Sequence, residues 1–128
     1  MKALVVDEPW IGMILRGEKT WEMRKGVCKY RGPIALIRKG SGQVVGTARV
    51  VDCRPALDTS AAYAAAQPHH GILPARQGQA FADGWRTPWV LAEARRLPHA
   101  VPYKHPSGAV IWVNLAPDVA TQVEVQAR

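Results

Sequence analysis

Cationic residues are concentrated in one stretch of the sequence, and the residues best suited to chemistry stand inside it. The whole chain of 128 residues has 17 Lys and Arg against 10 Asp and Glu, a formal net charge of +7. Between positions 16 and 39 the balance is eight minus two, or +6, from Arg16, Lys19, Arg24, Lys25, Lys29, Arg31, Arg38 and Lys39 against Glu18 and Glu22. This concentration favours a polyanionic partner such as nucleic acid, although a solvated surface would explain the charge equally well.

Within this stretch, Lys19, Glu22 and Arg24 are the charged residues considered first. Apolar and polar residues alternate from Thr20 onward, which is the period of a half-buried strand. We expect Glu22 and Arg24 on its open face, where they form an ion pair or where Arg24 holds a phosphate or a base edge. Glu22 could orient Lys19 or accept a base amino group. Lys19 is an exposed lysine, a phosphate ligand, or a base if burial lowers its pKa.

A short helix is predicted immediately before this strand, over residues 9–16. The segment Asp7-Glu8-Pro9 is typical of a helix start, because carboxylates favour the positive end of the helix dipole and proline suits the first position. Gly17 fits the left-handed residue that ends a helix. Trp10 lies on the apolar face, so we interpret it as a core anchor, with stacking on a base as the alternative.

The remaining segments predict a single α+β domain. Strand patterns appear at 4–6, 34–37, 44–51, 89–97 and 109–115, with a tight turn at 39–42. The Ala-rich segment 58–88 predicts a helical insertion, with helices at 60–66, capped by Asp58-Thr59-Ser60, and at 77–85. We expect a small mixed β-barrel of five or six strands over residues 1–116, with an early short helix, and a frayed or weakly helical tail at 117–128.

Composition excludes several classes of protein. Hydrophobic residues make up 48% and charged residues 21%, which are globular values. No apolar run approaches the roughly 20 residues of a membrane-spanning helix, and the first residues turn acidic too soon for a secretory signal. Cys28 and Cys53 form neither a disulfide framework nor a metal-ligand spacing. We therefore expect a cytoplasmic, soluble protein with reduced cysteines and with no membrane contact, metal or cofactor.

Other residues offer further chemistry with weaker signals. On the connection 102–108, Tyr103 could stack on a base, Lys104 could contact a phosphate, and His105 could act in RNA cleavage, with Ser107 beside them. A loop histidine more often has no such role. His69-His70 falls between the two predicted helices, in an expected loop, and has no carboxylate or cysteine nearby to complete a metal site. Trp21 and Trp112 are interpreted as core residues.

Several of these residues together resemble the signature of ASCH domains, the activating-signal-cointegrator homology domains. The pattern Pro-Trp…Leu-Leu…Gly-x-Lys-x-x-Glu-x-Arg is matched by Pro9-Trp10, Ile14-Leu15, Gly17, Lys19-Thr20, Glu22 and Arg24. Later segments that support the resemblance are Arg31-Gly32, Val45-Gly46 before Asp52-Cys53, Trp89-Val90-Leu91, and Pro102-Tyr103-Lys104 before Gly108 and Trp112. The resemblance covers about residues 2 to 116.

The resemblance implies a PUA-like β-barrel with a positively charged cleft beside the first helix, and it implies binding of RNA or another nucleic acid. Some small bacterial members of the family look enzymatic: one branch removes the acyl group from acetylated cytidine, and ribonuclease activity has been attributed to another. In the deacetylating branch a hydroxyl residue is expected near position 22. Glu22 stands there instead, and Thr20 lies two residues earlier on the same strand face.

These inferences predict a binding module for RNA, another single-stranded nucleic acid, or a nucleotide-like small molecule. The residues assigned to binding are Lys19, Arg24 and Lys104 for charge, Arg38 and Lys39 at the rim, Trp10, Glu22 and Tyr103 around the base, and Ser107. The alternative is a small hydrolase for a modified nucleoside, or a ribonuclease, with the candidate catalytic residues Lys19, Thr20, Glu22 and His105. An acidic protein partner for the same charged patch is a third possibility.

Overall fold

A computed structural model describes all of residues 1–128, which form six strands and five helices. In chain order the elements are β1 Lys2–Val6, α1 Trp10–Leu15, β2 Trp21–Arg24, β3 Gly32–Arg38, β4 Gln43–Cys53, α2 Ser60–Ala65, α3 Gln67–His70, α4 Pro74–Ala82, β5 Thr87–Pro102, β6 Trp112–Asn114 and α5 Pro117–Gln126. None of the five helices combines the length and the apolar character needed to cross a membrane.

One mixed sheet contains all six strands, in the order β2-β5-β4-β3-β1-β6. Strands β1 and β3 are parallel, and the other neighbouring strands are antiparallel. The sheet curls into a half-barrel whose edge strands are β2 and β6. The predicted α+β class, with six strands, an early short helix and a helical insertion, is therefore confirmed.

Alternate side chains of the strands enter two separate cores on the two faces of the sheet. In β1, Ala3 and Val5 belong to the first core, which helix α5 covers. Leu4 and Val6 belong to the second core, which helix α1 covers. This partition follows from the two-residue period of a strand, because successive side chains point to opposite faces. The candidate site is built over the second core.

Two glycines allow helix α1 to lie against the sheet and to lead into β2. A Cβ atom on Gly46 would lie 2.7 Å from the carbonyl oxygen of Arg95 and would collide with Leu15 at the end of α1. Gly17 has φ +79°, and its N–H donates to the carbonyl oxygen of Ile14 at 3.1 Å. The predicted left-handed end of the helix is thus confirmed.

Two expectations of local structure differ from what is observed. His69 and His70 lie in the short helix α3 and not in a loop, and the His70 ring is fully buried. Residues 117–126, expected to be frayed or weakly helical, form the regular helix α5, in which Val123 is fully buried in the first core. In both segments tertiary packing stabilises a helix whose own sequence shows no clear helical period.

Candidate functional site

A cavity of ≈ 790 Å³ opens between the two edge strands of the half-barrel. Strand β2 contributes Glu22 and Arg24 to its lining, and strand β6 contributes Trp112. Helix α1 adds Trp10, and helix α4 of the insertion adds Arg76. The insertion therefore does more than cover the sheet, because it forms one wall of the cavity.

Lys19 is the most deeply buried charged residue of the cavity, with a side chain only 1% exposed. Its Nζ donates a hydrogen bond of 2.6 Å to the carbonyl oxygen of His70 and lies 3.7 Å from Oε1 of Glu22. The same atom lies 5.1 Å from the centre of the Trp10 ring. Burial lowers the pKa of Lys19, and the neighbouring Glu22 carboxylate offsets part of that effect.

Glu22 and Arg24 form a close ion pair on one side of β2. Oε2 of Glu22 accepts hydrogen bonds from Nε of Arg24 at 3.0 Å and from Nη2 at 2.8 Å. Nη2 also donates to the carbonyl oxygen of Val5 in β1 at 2.8 Å. The expectation of an open strand face is wrong for Glu22, which is buried between Lys19 and Arg24. Two cations compensate the loss of hydration that would otherwise exclude a buried carboxylate.

These three residues form one polar chain, which we call the Lys19–Glu22–Arg24 chain. It is anchored at one end on the carbonyl oxygen of His70 in the insertion and at the other on the carbonyl oxygen of Val5. Nη1 of Arg24 makes no hydrogen bond within the protein, and Oε1 of Glu22 has only the Lys19 ammonium beside it, at 3.7 Å. Both residues line the cavity, so a donor without a partner and an acceptor with spare capacity lie at its wall.

The anchor at His70 is itself held rigidly. Nδ1 of its ring accepts a hydrogen bond from the N–H of Ile72 at 2.9 Å, so the proton of the neutral ring is on Nε2. Nε2 donates to the carbonyl oxygen of Tyr63 at 2.7 Å. Burial lowers the pKa of His70, which favours this neutral form. The ring therefore orients the segment whose carbonyl group receives Lys19.

Tryptophan side chains form much of the cavity wall. Four of the five tryptophans of the chain line it, namely Trp10, Trp85, Trp89 and Trp112. Trp89 and Trp112 are stacked, with ring centres 5.8 Å apart and planes at 12°. Trp112 packs against the second core, as expected, but it is only half-buried and also lines the cavity. Trp21 lies outside the cavity, stacked on His69 at 4.4 Å.

Charged side chains surround these aromatic faces. The cations that line the cavity are Lys19, Arg24, Lys25, Lys39 and Arg76, and the acids are Asp7, Glu22 and Asp83. Four of these cations lie over tryptophan rings. Lys19 and Arg76 lie over Trp10, the latter with its guanidinium 6.0 Å from the ring centre. The guanidinium of Arg24 is 5.7 Å from the centre of Trp89, and Nζ of Lys25 is 4.9 Å from that of Trp85. The cavity thus combines flat aromatic surfaces with five cationic and three acidic side chains.

The structure brings together only part of the residue set predicted from the sequence. Trp10, Lys19, Glu22, Arg24 and Lys39 line the cavity. Lys25, Arg76, Trp85 and Trp89 also line it, and the sequence analysis missed them. The signal available for Trp85 was a tryptophan inside the Ala-rich insertion. Trp89 gave no such signal, because it is buried in the second core as well as lining the cavity.

The other predicted residues lie elsewhere. Thr20 is exposed and does not line the cavity, and Arg38 pairs with Glu8 at 3.6 Å. Tyr103 and Lys104 line a second cavity of ≈ 570 Å³ beside helix α5, on the face of the first core. The expectation that Tyr103 and Lys104 share a cleft with Lys19 is therefore wrong, because the connection after β5 packs on the opposite face of the sheet.

His105 and Ser107 follow on that same connection and are exposed. The His105 ring lies between the hydroxyl of Tyr103, at 2.7 Å from Nδ1, and the carbonyl oxygen of Ala109, at 2.8 Å from Nε2. It has no contact with the Lys19–Glu22–Arg24 chain. No group of three or more His, Cys, Asp or Glu side chains lies close enough together to hold a metal ion.

The half-barrel, its early helix and the polar chain at its open edge define a PUA-like protein. The family model described as "ASCH domain" matches residues 4–99. The chain therefore belongs to the ASCH domain family, and the resemblance seen in the sequence is confirmed. None of the curated proteins matches the chain.

Solved structures agree with this assignment. A crystal structure of the ASCH protein from Zymomonas mobilis has a TM-score of 0.71 at 14% identity, and the match covers 97% of this chain and 92% of that chain. Two single-residue variants of the Zymomonas mobilis protein each have a TM-score of 0.71 at 12% identity. Their matches cover 97% of this chain and 96% or 94% of the variant chains. At this level of identity the likeness establishes the fold.

The substitution Glu22→Gln removes the anion that separates two buried cations. We expect the free energy of unfolding to fall by about 3–5 kcal/mol, as is typical when one partner of a buried ion pair is removed. Urea denaturation measures the change. The matched control is Glu18→Gln, which breaks the half-exposed pair between Arg16 and Glu18 and should hardly move the midpoint. Equal shifts in the two variants would contradict a structural role for the polar chain.

The neutral His70 ring makes stability depend on pH. Because its pKa is lowered in the folded state, the unfolded chain binds a proton at this residue more readily. The contribution of His70 to the free energy of unfolding is complete above the ordinary histidine pKa of about 6.5, and it is lost as the pH falls below that value. We expect the thermal midpoint to fall from pH 7.5 to 5.5 (about one unit either side of that pKa). The thermal midpoint of His70→Gln should fall less over the same pH range. An equal fall in the wild-type protein and the variant would assign the effect to other groups.

Proposed function

We propose that this protein binds single-stranded nucleic acid, RNA in particular, by receiving one base in the cavity between β2 and β6. The observation that carries the proposal is the position of the Lys19–Glu22–Arg24 chain inside a cavity walled by four tryptophans. Flat aromatic surfaces and a fixed donor–acceptor pair are the two features that a base requires of its binding site. The volume of ≈ 790 Å³ falls in the range of ordinary ligand pockets.

The polar chain supplies recognition of the base edge. Nη1 of Arg24 can donate to a ring nitrogen or a carbonyl oxygen, and Oε1 of Glu22 can accept from an amino group. Because Arg24 is already bonded to Glu22 and Val5, its guanidinium loses little freedom when a ligand binds. Stacking on a tryptophan face adds about 1–3 kcal/mol per base.

The charged residues near the opening supply recognition of phosphate. Lys25, Lys39 and Arg76 line the cavity, and the whole chain has a formal charge of +7. A positive excess of this kind speeds the approach of a polyanion and adds binding free energy that salt weakens. Membership of the ASCH family, whose domains are generally of the nucleic-acid-binding type, supports the same conclusion.

Salt dependence tests the placement of the phosphate contacts. Binding of a fluorescently labelled single-stranded RNA should weaken with salt, with a slope of about −0.7 in log K per phosphate contact. Lys39→Met should weaken binding and make that slope shallower by roughly 0.7. The control Lys104→Met makes the same charge change beside α5, away from the cavity, and should leave the slope unchanged. Fluorescence anisotropy over a salt series measures both quantities.

A companion variant separates base recognition from charge. Arg24→Lys keeps the positive charge but loses the planar fork that contacts Glu22 and Val5, so affinity should fall while the salt slope stays the same. Circular dichroism of the variant verifies that it folds. A wild-type protein that binds with a flat salt response, or a Lys104→Met protein that loses a phosphate contact, would reject this placement.

Burial of Lys19 beside Glu22 favours a second candidate function, the hydrolysis of an acylated nucleoside. Because its pKa is lowered, a larger fraction of the Lys19 amine is unprotonated and able to accept a proton than in an exposed lysine. No serine, threonine, tyrosine or cysteine lines the cavity, so the nucleophile in such a reaction would be water. A carboxylate lining the cavity, Glu22 or Asp83, would then have to activate that water.

Incubation of the purified protein with acetylated cytidine, without added metal, tests this second function. Release of acetate and cytidine that disappears in Lys19→Met would establish hydrolysis at the cavity. Absence of turnover in a protein that binds RNA would leave the binding function alone. Cleavage of bulk RNA is measured in parallel for the wild-type protein and for His105→Ala. His105 lies outside the cavity, so its removal should not change an activity of the cavity.

A further inference from the structure

Exposed apolar side chains are gathered at the opening of the cavity. The chain has seven large hydrophobic residues that are exposed, and four of them line this cavity, namely Val27, Trp85, Val110 and Ile111. We call these four residues the apolar rim. They are between 38% and 74% exposed. They come from three separate segments, the β2–β3 connection, the residue range after α4 and the range before β6.

Packing within the protein does not explain this arrangement. Single exposed apolar residues are ordinary on a protein surface, but a cluster from three segments around one opening is typical of an interaction site. None of the four belongs to a buried core cluster. The apolar rim therefore presents surface that a ligand larger than the cavity would cover.

Cations beside the apolar rim indicate what that ligand is. Nζ of Lys25 lies 4.9 Å from the centre of the Trp85 ring, and Lys39 lines the same cavity. A surface that combines apolar and cationic side chains suits a polynucleotide strand, which carries both flat base faces and phosphates. A protein partner bound to the apolar residues would leave these cations without a counter-charge unless that protein were acidic. A polynucleotide strand supplies the apolar base faces and the negative phosphates in one molecule.

We propose that the apolar rim binds the two nucleotides that flank the base held in the cavity, so that the natural ligand is a single-stranded segment of at least three nucleotides. This inference rests on the proposed function and specifies its ligand. When the central base leaves the stack, each neighbouring base loses one stacked face. The side chains of the rim replace that lost contact. A duplex is disfavoured, because its flanking bases stay paired and stacked.

Affinity for ligands of different length tests the inference. The probes are the four nucleoside 5′-monophosphates, the four homotrinucleotides and an RNA duplex, each titrated calorimetrically into the protein of residues 1–128. Trinucleotides should bind at least ~10-fold more tightly than the matching monophosphate, because the flanking bases stack on Trp85 and contact the aliphatic residues of the rim. The duplex should bind more weakly than the trinucleotide.

A pair of matched variants assigns the difference to the rim. The double variant Val27→Ser, Val110→Ser changes two exposed rim residues and should lose most of the advantage of the trinucleotide while keeping the affinity for the monophosphate. The control Val51→Ser, Val125→Ser changes two comparably exposed valines outside the cavity and should keep that advantage. Thermal midpoints of both double variants verify that the fold is intact.

The outcomes distinguish this inference from the function on which it rests. Trinucleotides that bind no more tightly than monophosphates, or that keep their advantage in the rim variant, would overturn the inference while leaving base binding in place. A protein that binds none of the nucleic-acid probes would overturn both. Retention of RNA binding together with capture of an acidic protein through the rim would also overturn the inference, since the rim would then serve another partner.

Discussion

The neutralisation of buried charge along the Lys19–Glu22–Arg24 chain is the interaction on which the rest of the structure depends. A single buried charge would lose several kcal/mol of hydration, and the arrangement persists because one anion lies between two cations. Lys19 and Arg24 each also donate one hydrogen bond to a backbone carbonyl oxygen, that of His70 and that of Val5 respectively. Those two bonds connect the helical insertion and strand β1 to the edge strand β2, so the polar chain positions all three parts relative to one another.

The cavity follows from the way in which the sheet ends. Strands β2 and β6 are not paired with each other, and the side chain of Arg24 crosses from β2 to β1 instead. Stacked Trp89 and Trp112 and the overlying Trp10 line the resulting space. The side chain of Arg24 uses Nε and Nη2 for bonds within the protein, while Nη1 has no partner there.

Local signals predicted the elements that position the site. Gly17 ends helix α1 in the left-handed conformation, and Thr59 caps helix α2 by accepting a hydrogen bond of 3.0 Å from the N–H of Ala62, both as expected. These features involve residues close together in the chain, so their physics is visible in a short window of sequence. The helix that contains His70 was not predicted, because its stability comes from burial against Tyr63 and not from helical periodicity.

By itself the sequence determined the ASCH signature, the concentration of positive charge, and the two-residue period that places Glu22 and Arg24 on the same side of one strand. Only the tertiary structure decided that this side is buried and that Lys19 bonds to a carbonyl group 51 positions away. It also placed Tyr103 and Lys104 on the opposite face of the sheet. The physical reason is that periodicity specifies the direction of a side chain, whereas its burial, and hence its chemistry, depends on which distant segment packs over it.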